Sequence, residues 1–237
     1  MNDTPTLTVI ARIESDFTTK FGIPRQSGLV AAQKSIIVFE PAYRDINAIR
    51  GLEAYSHIWL IWGFSKVERK KWSPMVKPPR LGGKQRMGVF ATRSPNRPNP
   101  IGLSSVRLER IEQRRGMGTV LVVSGADLMN GSPIYDIKPY LSFTDSHPDA
   151  KNGFAEEKLA HRLEVEFPPE LLERIPAEKH RALMESLALD PRPAYQDDPE
   201  FPYGFEYAGY DVRFRVKGHL LTVFDVVSLR QGRSHVK

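Results

Sequence analysis

Between Thr6 and Leu141 one strand-like segment follows another with little sequence left for helices. That succession restricts the chain to a mainly β fold. Leu7, Val9, Ala11 and Ile13 alternate with Thr8, Ile10 and Arg12, the period of a half-buried strand. The runs from Ser35 (SIIVFE) and His57 (HIWLIWGF) are continuous, apolar and of strand length. Between them DINAIRGLEAY predicts a short helix, with Asp45 as its N-cap and its end near Gly51. MGVFA from Met87, SSVRLERI from Ser104, TVLVVSGADL from Thr119 and SPIYDIKPYL from Ser132 complete the series. Arg115-Gly116-Met117-Gly118 reads as a hairpin turn. Short strands at this spacing predict an antiparallel sheet closed, or nearly closed, into a single β-barrel over residues 1–146.

The composition changes at Thr144. Residues 147–161 are polar and read as a linker. Residues 162–237 predict a small α+β domain, near the size limit for independent stability. In this part RLEVEF alternates, Pro168-Pro169 opens a helical pattern with His180, Leu183, Met184 and Leu187 on one face, and Gly218 turns a hairpin. On that hairpin Tyr210, Val212, Phe214 and Val216 point one way, and Asp211, Arg213, Arg215 and Lys217 the other.

Composition excludes several chemistries. With 0 cysteines there are no disulfides, thiolate metal sites or cysteine nucleophiles. The 6 histidines lack metal-ligand spacing, so no metal is expected. GxGxxG, P-loop and Ser/His/Asp patterns are absent. The start carries no signal-peptide pattern and the longest apolar run is too short to span a bilayer, so the expectation is a soluble cytoplasmic protein. A formal net charge of +6 favours a polyanionic partner.

Four stretches carry candidate chemistry. In GVFATRSPNRPNPIGLSSVRL, from Gly88, the prolines Pro95, Pro98 and Pro100 pre-set the backbone, so Arg93 and Arg97 can be held with little ordering entropy. Each guanidinium suits a carboxylate or phosphate, though a rigid loop with solvated arginines fits the same residues. FGIPRQSGLV, from Phe21, pairs Pro24 with Arg25 and Gln26. In GADLMNGSPIYDIKPYL, Asp127 precedes a turn, and Asp136, Lys138 and Tyr140 share one strand face. That set suits proton handling or a nucleotide, or equally a solvated edge. The run from Ser65 to Arg86 interleaves Lys70, Lys71, Lys77, Arg80, Lys84 and Arg86 with Trp72, the mixture of charge and stacking surface that single-stranded RNA needs, or a solvated loop.

PPRLGG, RMGVFATRSPNRPNPIGLS, FGIPRQSGLV, RGLEAYSHIWLI, GADLMNGSPIYDIKPY and DPRPAY together resemble the TsaA/TrmO family of tRNA methyltransferases. The resemblance runs from about Thr6 to Ser146 and reaches Tyr195. It implies a β-barrel that binds S-adenosyl-L-methionine without a Rossmann sheet, a homodimer, and methylation of N6 of N6-threonylcarbamoyladenosine 3′ of the anticodon in threonine tRNA. Carried over by motif, the cofactor positions are Pro24, Arg25, Gln26, Phe64, Ser65, Arg93, Leu103, Asp127 and Leu128. Ser65-Lys66 and Asn130 depart from the family pattern, which has an amide- or carboxylate-like pair and an Asp there. Methyl transfer to a delocalised N6 requires loss of a proton. Asp136 is the candidate base, Tyr140 the orienting or stacking group, and Arg93 or Arg25 a partner for the threonyl carboxylate. Lys70, Lys71, Trp72, Arg80, Lys84 and Arg86 form the candidate RNA surface. A non-catalytic RNA-binding barrel, or a barrel methyltransferase with another acceptor, uses the same features.

Overall fold

The structure, a computed structural model, describes residues 6–65, 72–78, 85–158, 161–193 and 198–229. It is mainly β with few helices. Six strands form an antiparallel ring: β1 (Ala11–Glu14), β2 (Lys34–Phe39), β3 (His57–Gly63), β6 (Ile101–Arg114), β7 (Gly118–Ser124) and β8 (Pro133–Pro139). Their order is β1-β2-β7-β6-β3-β8, and β8 pairs back onto β1 through Ala11 with Ile134 and Arg12 with Pro133. Two short strands, β4 (Met75–Val76) and β5 (Met87–Gly88), pair separately.

Alternation dictates which side chains fill the ring. Ala11, Ile13, Ile37, Ile58, Leu60, Trp62, Val106, Leu121, Val123 and Ile134 point inward as one core. Fully burying each large aliphatic side chain contributes about 1.5–3 kcal/mol. The β6–β7 hairpin turns where expected, with Gly116 and Gly118 at positive φ. The segment after Asp45 is not one helix but two short 3-10 turns, Ile46–Ile49 and Leu52–Ala54. Asp45 does act as a cap, accepting from the Asn47 amide at 2.9 Å. Gly51, at φ 88, breaks the run before a longer helix can form.

After β8 come the single turn α1 (Ser142–Asp145) and a 3-10 segment, Gly153–Lys158. A second sheet follows, in the order β10 (Tyr203–Tyr207), β11 (Tyr210–Lys217), β12 (Leu220–Ser228) and β9 (Glu164–Glu166); β9 is parallel to β12. Helices α2 (Pro169–Leu172) and α3 (Ala177–Ala188) pack on it. Ala182, Leu183, Ser186 and Leu187 are the buried residues of α3, while His180 and Met184 lie at the margin.

The segment between β1 and β2, residues 15–33, belongs to both halves. Phe17 and Val30 are buried in the core of the second sheet, and Phe17 forms an isolated antiparallel bridge with Tyr207. Gly22 sits at φ 79 with the Phe205 ring where a Cβ would be, so only glycine fits this close approach. Toward the ring, the Gly28 amide donates to the Gly125 carbonyl (2.8 Å) and the Gly125 amide to the Gln33 carbonyl (2.9 Å). This segment is a strap clamped from two sides.

Candidate functional site at one mouth of the ring

The strap, the end of β3, the start of β6 and the turn after β7 meet at one mouth of the ring. Asp127 lies at their centre. Ser104 Oγ donates to its carboxylate at 2.6 Å, and Trp62 Nε1 donates to the same Oγ at 2.9 Å. Gly102 makes this relay possible, because a Cβ there would overlap the Trp62 indole. The Ser27 backbone N–H also donates to Asp127, and the charge of Arg93 is close. Burial outweighs these partners, so the Asp127 carboxyl titrates above its ordinary value.

Two loops far apart in sequence close over this carboxylate. Arg93 Nη1 donates to Gln26 Oε1. Its companion Arg97 turns inward on its own loop, where Nη2 donates to the carbonyls of Val89 (3.2 Å) and Thr92 (2.9 Å). The proline-rich loop therefore carries one arginine that stiffens it and one that faces outward. The sequence leaves both roles open for each guanidinium; the fold gives Arg97 the structural one.

The candidate cofactor residues divide into groups. Gln26, Arg93 and Asp127 come together at the mouth. Phe64 is half-buried beside Trp62, ring centroids 4.4 Å apart, and Ser65 next to it is exposed. Leu128 is fully buried in the ring core. Pro24 is buried, and Arg25 reaches the Asp190 carbonyl after α3 at 3.4 Å. Leu103 is 55% exposed on the outer face of the sheet.

Asp136 and Tyr140 also lie outside the ring. Register places Leu103 and Asp136 on either side of Ile61, so the three form one row across β6, β3 and β8. Asp136 accepts from the Ile137 amide at 2.9 Å and pairs with Lys138 at 2.9 Å. Tyr140 sits at the opposite end of β3, with its ring near Trp59 and His57. Along β3, His57 and Trp62 are separated by roughly 17 Å of strand. Neither Asp136 nor Tyr140 shares the Asp127 mouth within one chain.

Of the basic and aromatic run, Trp72 is half-exposed, and Lys77 and Arg86 are exposed. Lys70, Lys71, Arg80 and Lys84 fall outside the described residues. On the C-terminal hairpin, Arg213 binds Asp211 (2.9 Å) and Asp225 (3.4 Å). Arg215 covers the Phe224 ring at 4.5 Å. No cluster of His, Asp and Glu among the described residues has the grouping to hold a metal ion.

Sequence reasoning missed Ser104, Trp62 and Ser27. Their signal is positional: a small polar residue at an inward place in β6, diagonal to an inward tryptophan on β3, stands out in an otherwise apolar core.

A closed antiparallel ring with a desolvated carboxylate at its mouth, roofed by an arginine and an amide, defines a β-fold small-ligand site rather than a Rossmann one. Residues 12–146 match the tRNA-methyltransferase O N-terminal domain and residues 160–229 the TrmO C-terminal domain. The chain belongs to the TrmO family. It is 40% identical over 223 residues to the tRNA (adenine(37)-N6)-methyltransferase of Escherichia coli K12, covering 91% of this chain and 94% of that protein. A putative S-adenosylmethionine-dependent methyltransferase, RcsF, of Pseudomonas aeruginosa PAO1 is 38% identical over 234 residues, covering 94% and 98%. A crystal structure of TrmO superimposes with a TM-score of 0.77 at 33% identity, covering 95% of this chain and 100% of that one.

Proposed function

We infer that the chain is an S-adenosyl-L-methionine-dependent tRNA methyltransferase that methylates N6 of adenine 37. The supporting observation is full-length similarity to proteins of that name, combined with the Asp127 mouth. The finer reading makes N6-threonylcarbamoyladenosine of threonine tRNA the acceptor, and the ring a β-barrel domain over 1–146, with a linker at 147–161 and a C-terminal domain at 162–237.

The residues at the mouth fit the cofactor. S-adenosyl-L-methionine supplies a sulfonium methyl carbon to an attacking nitrogen. Asp127, an anionic acceptor in low dielectric, suits its cationic and hydroxyl-bearing parts. The half-buried Phe64 offers an aromatic face, and Gln26 and Arg93 add an amide and a guanidinium. By holding these groups on strand ends and a proline-stiffened loop, the chain supplies alignment, which is worth about 7–11 kcal/mol in favourable cases.

Asp136 is proposed to take the N6 proton and Tyr140 to orient or stack the acceptor. Both lie on the outer face, so they reach the reacting nitrogen only through a substrate or second subunit laid across that face. We propose a homodimer, consistent with the apolar exposure of Leu103 (55%), Phe90 (77%) and Phe143 (86%). Sedimentation that finds an active monomer at assay concentration removes the dimer. Trp72, Arg86, Lys70, Lys71, Arg80 and Lys84 are proposed to carry the anticodon stem-loop. Among the described residues no helix is long and apolar enough to cross a membrane, and a tRNA substrate places the enzyme in the cytoplasm under this reading.

The deciding experiment is mass spectrometry of tRNA nucleosides after incubation with protein and S-adenosyl-L-methionine, with and without prior threonylcarbamoylation. A methyl group on N6-threonylcarbamoyladenosine supports the reading. Methylation elsewhere, or none beside tight tRNA binding, replaces it with another acceptor or a non-catalytic binder.

A further inference from the structure

The strap that delivers Gln26 to Arg93 is fastened to the C-terminal half by polar groups, two of them fully buried and the others at its margin. Lys179 of α3 donates to both oxygens of Asp16, at 2.9 and 2.7 Å. Gln33, fully buried, donates to Asp16 Oδ2 at 3.2 Å and accepts from the Tyr207 hydroxyl at 3.1 Å. Burial, with the charges of Asp16 and Glu185 nearby, raises the Tyr207 pKa and keeps its hydroxyl a donor. The Ala208 amide donates to the Asp16 carbonyl (2.9 Å), Thr18 Oγ1 donates to Glu206 (2.7 Å), and Glu185 accepts from the Ala32 amide (3.2 Å). Both ends of the strap are tied to the second sheet and α3, while its middle, Gln26 to Gly28, rests on the ring mouth.

Resting on the reading of Gln26, Arg93 and Asp127 as the cofactor-facing group, we propose that Lys179 and Tyr207 are positioning residues for S-adenosyl-L-methionine. They act through Asp16 and Gln33 on a strap whose tip contacts the cofactor, and make none of the contacts themselves. The chemistry favours this over a purely structural role. The core around Phe17 and Val30 already holds the two halves together, yet two further side chains on the strap, Asp16 and Gln33, are satisfied from the C-terminal half. Asp16 is charged, and Gln33 has both ends of its amide bonded. Such paired groups specify one register of the strap, because any slip leaves a desolvated donor or acceptor without its partner. Register is what places Gln26 opposite Arg93 and the Ser27 amide on Asp127.

The test uses the full-length chain. Tyr207→Phe removes one hydroxyl and keeps the ring in the core; Lys179→Met removes the charge and Lys179→Arg restores it. In Tyr207→Phe and Lys179→Met the expected result is a rise in the dissociation constant and KM for S-adenosyl-L-methionine of about fivefold to tenfold. Lys179→Arg should recover most of it. Ile175→Val, a core change in the same half, lowers the melting temperature without moving that KM. Gln26→Ala and Arg93→Ala test the cofactor reading itself. If these two weaken the cofactor while folded Tyr207→Phe and Lys179→Met leave its affinity unchanged, the positioning role is overturned and the site stands. If Gln26→Ala and Arg93→Ala leave it unchanged as well, the site reading falls, and the positioning role with it. Equal KM changes in Ile175→Val and Tyr207→Phe also overturn it, because general destabilisation then accounts for both.

Discussion

Arg93 donates a hydrogen bond to Gln26 across 67 positions of sequence, within a single chain. The two loops therefore meet within one chain, whatever a second subunit adds around them. Arg93→Ala removes a charged donor at the mouth, and the expected loss of S-adenosyl-L-methionine binding is about 1.5–3 kcal/mol. Gln26→Ala weakens binding less, and the double variant loses less than the sum, since each single change already breaks the shared hydrogen bond. Calorimetry on the three variants checks this. Unchanged affinity in folded Arg93→Ala removes it from the site.

Asp127 gives a pH dependence with a definite sign. Its folded carboxyl titrates above the ordinary value of about 3.8 because burial outweighs its hydrogen bonds. A raised carboxyl binds its proton more tightly folded than unfolded. Stability from this group is greatest below the ordinary value and is lost as pH rises through the window up to the folded value. Asp127→Asn should flatten that part of the profile in urea titrations at stepped pH. Cofactor affinity runs the other way and falls as acid neutralises the carboxylate. A profile identical in wild type and Asp127→Asn contradicts both statements.

Two basic regions are candidates for the proposed tRNA surface, the run around Trp72 and the C-terminal hairpin. Arg213 is already paired with two carboxylates and Arg215 lies over Phe224, so both guanidinium groups of the hairpin are engaged within the chain. Lys70→Glu with Lys71→Glu should therefore damage tRNA binding more than Arg213→Glu with Arg215→Glu. Removing a side chain that neutralises one phosphate flattens the logarithmic salt dependence by about 0.7–0.9. Filter binding across a salt series separates the two. Weaker binding in the second variant alone reassigns the RNA surface.

Gly102→Ala is a small change with a large expected effect. The added methyl meets the Trp62 ring, which donates to Ser104 and through it braces Asp127. Overpacking of this kind costs about 1–3 kcal/mol. Denaturant titration reads that loss, and a weaker cofactor affinity should accompany it. A variant as stable as wild type shows that the indole has room to move.

How much the sequence reveals depends on how local the cause is. The alternation in β1 and the apolar runs of β2, β3 and β7 are set by nearest neighbours, and all are legible. So is the shared face of Asp136, Lys138 and Tyr140. Which side of the ring that face takes is not, because it depends on how β8 pairs with both β3 and β1. Arg97 and Arg93 look alike in sequence and differ only in which carbonyls the folded loop turns toward them. The strap misleads most. Phe17, Ile23 and Val30 have no common period, since their partners lie in a sheet formed by the last part of the chain.

That arrangement governs how the protein is made. The bonds fixing the strap join Asp16 to Lys179 across 163 positions and Gln33 to Tyr207 across 174. Contacts of such high order form late, because the loop between them must close first. On a translating ribosome the ring strands leave the exit tunnel well before β10 does, with the segment after β1 still unanchored. A nascent chain halted before Tyr207 has every residue of the mouth but lacks the bonds from the second sheet that tie down the ends of the strap. Under the positioning role proposed for Lys179 and Tyr207, tight cofactor binding is gained only once synthesis has reached the final sheet.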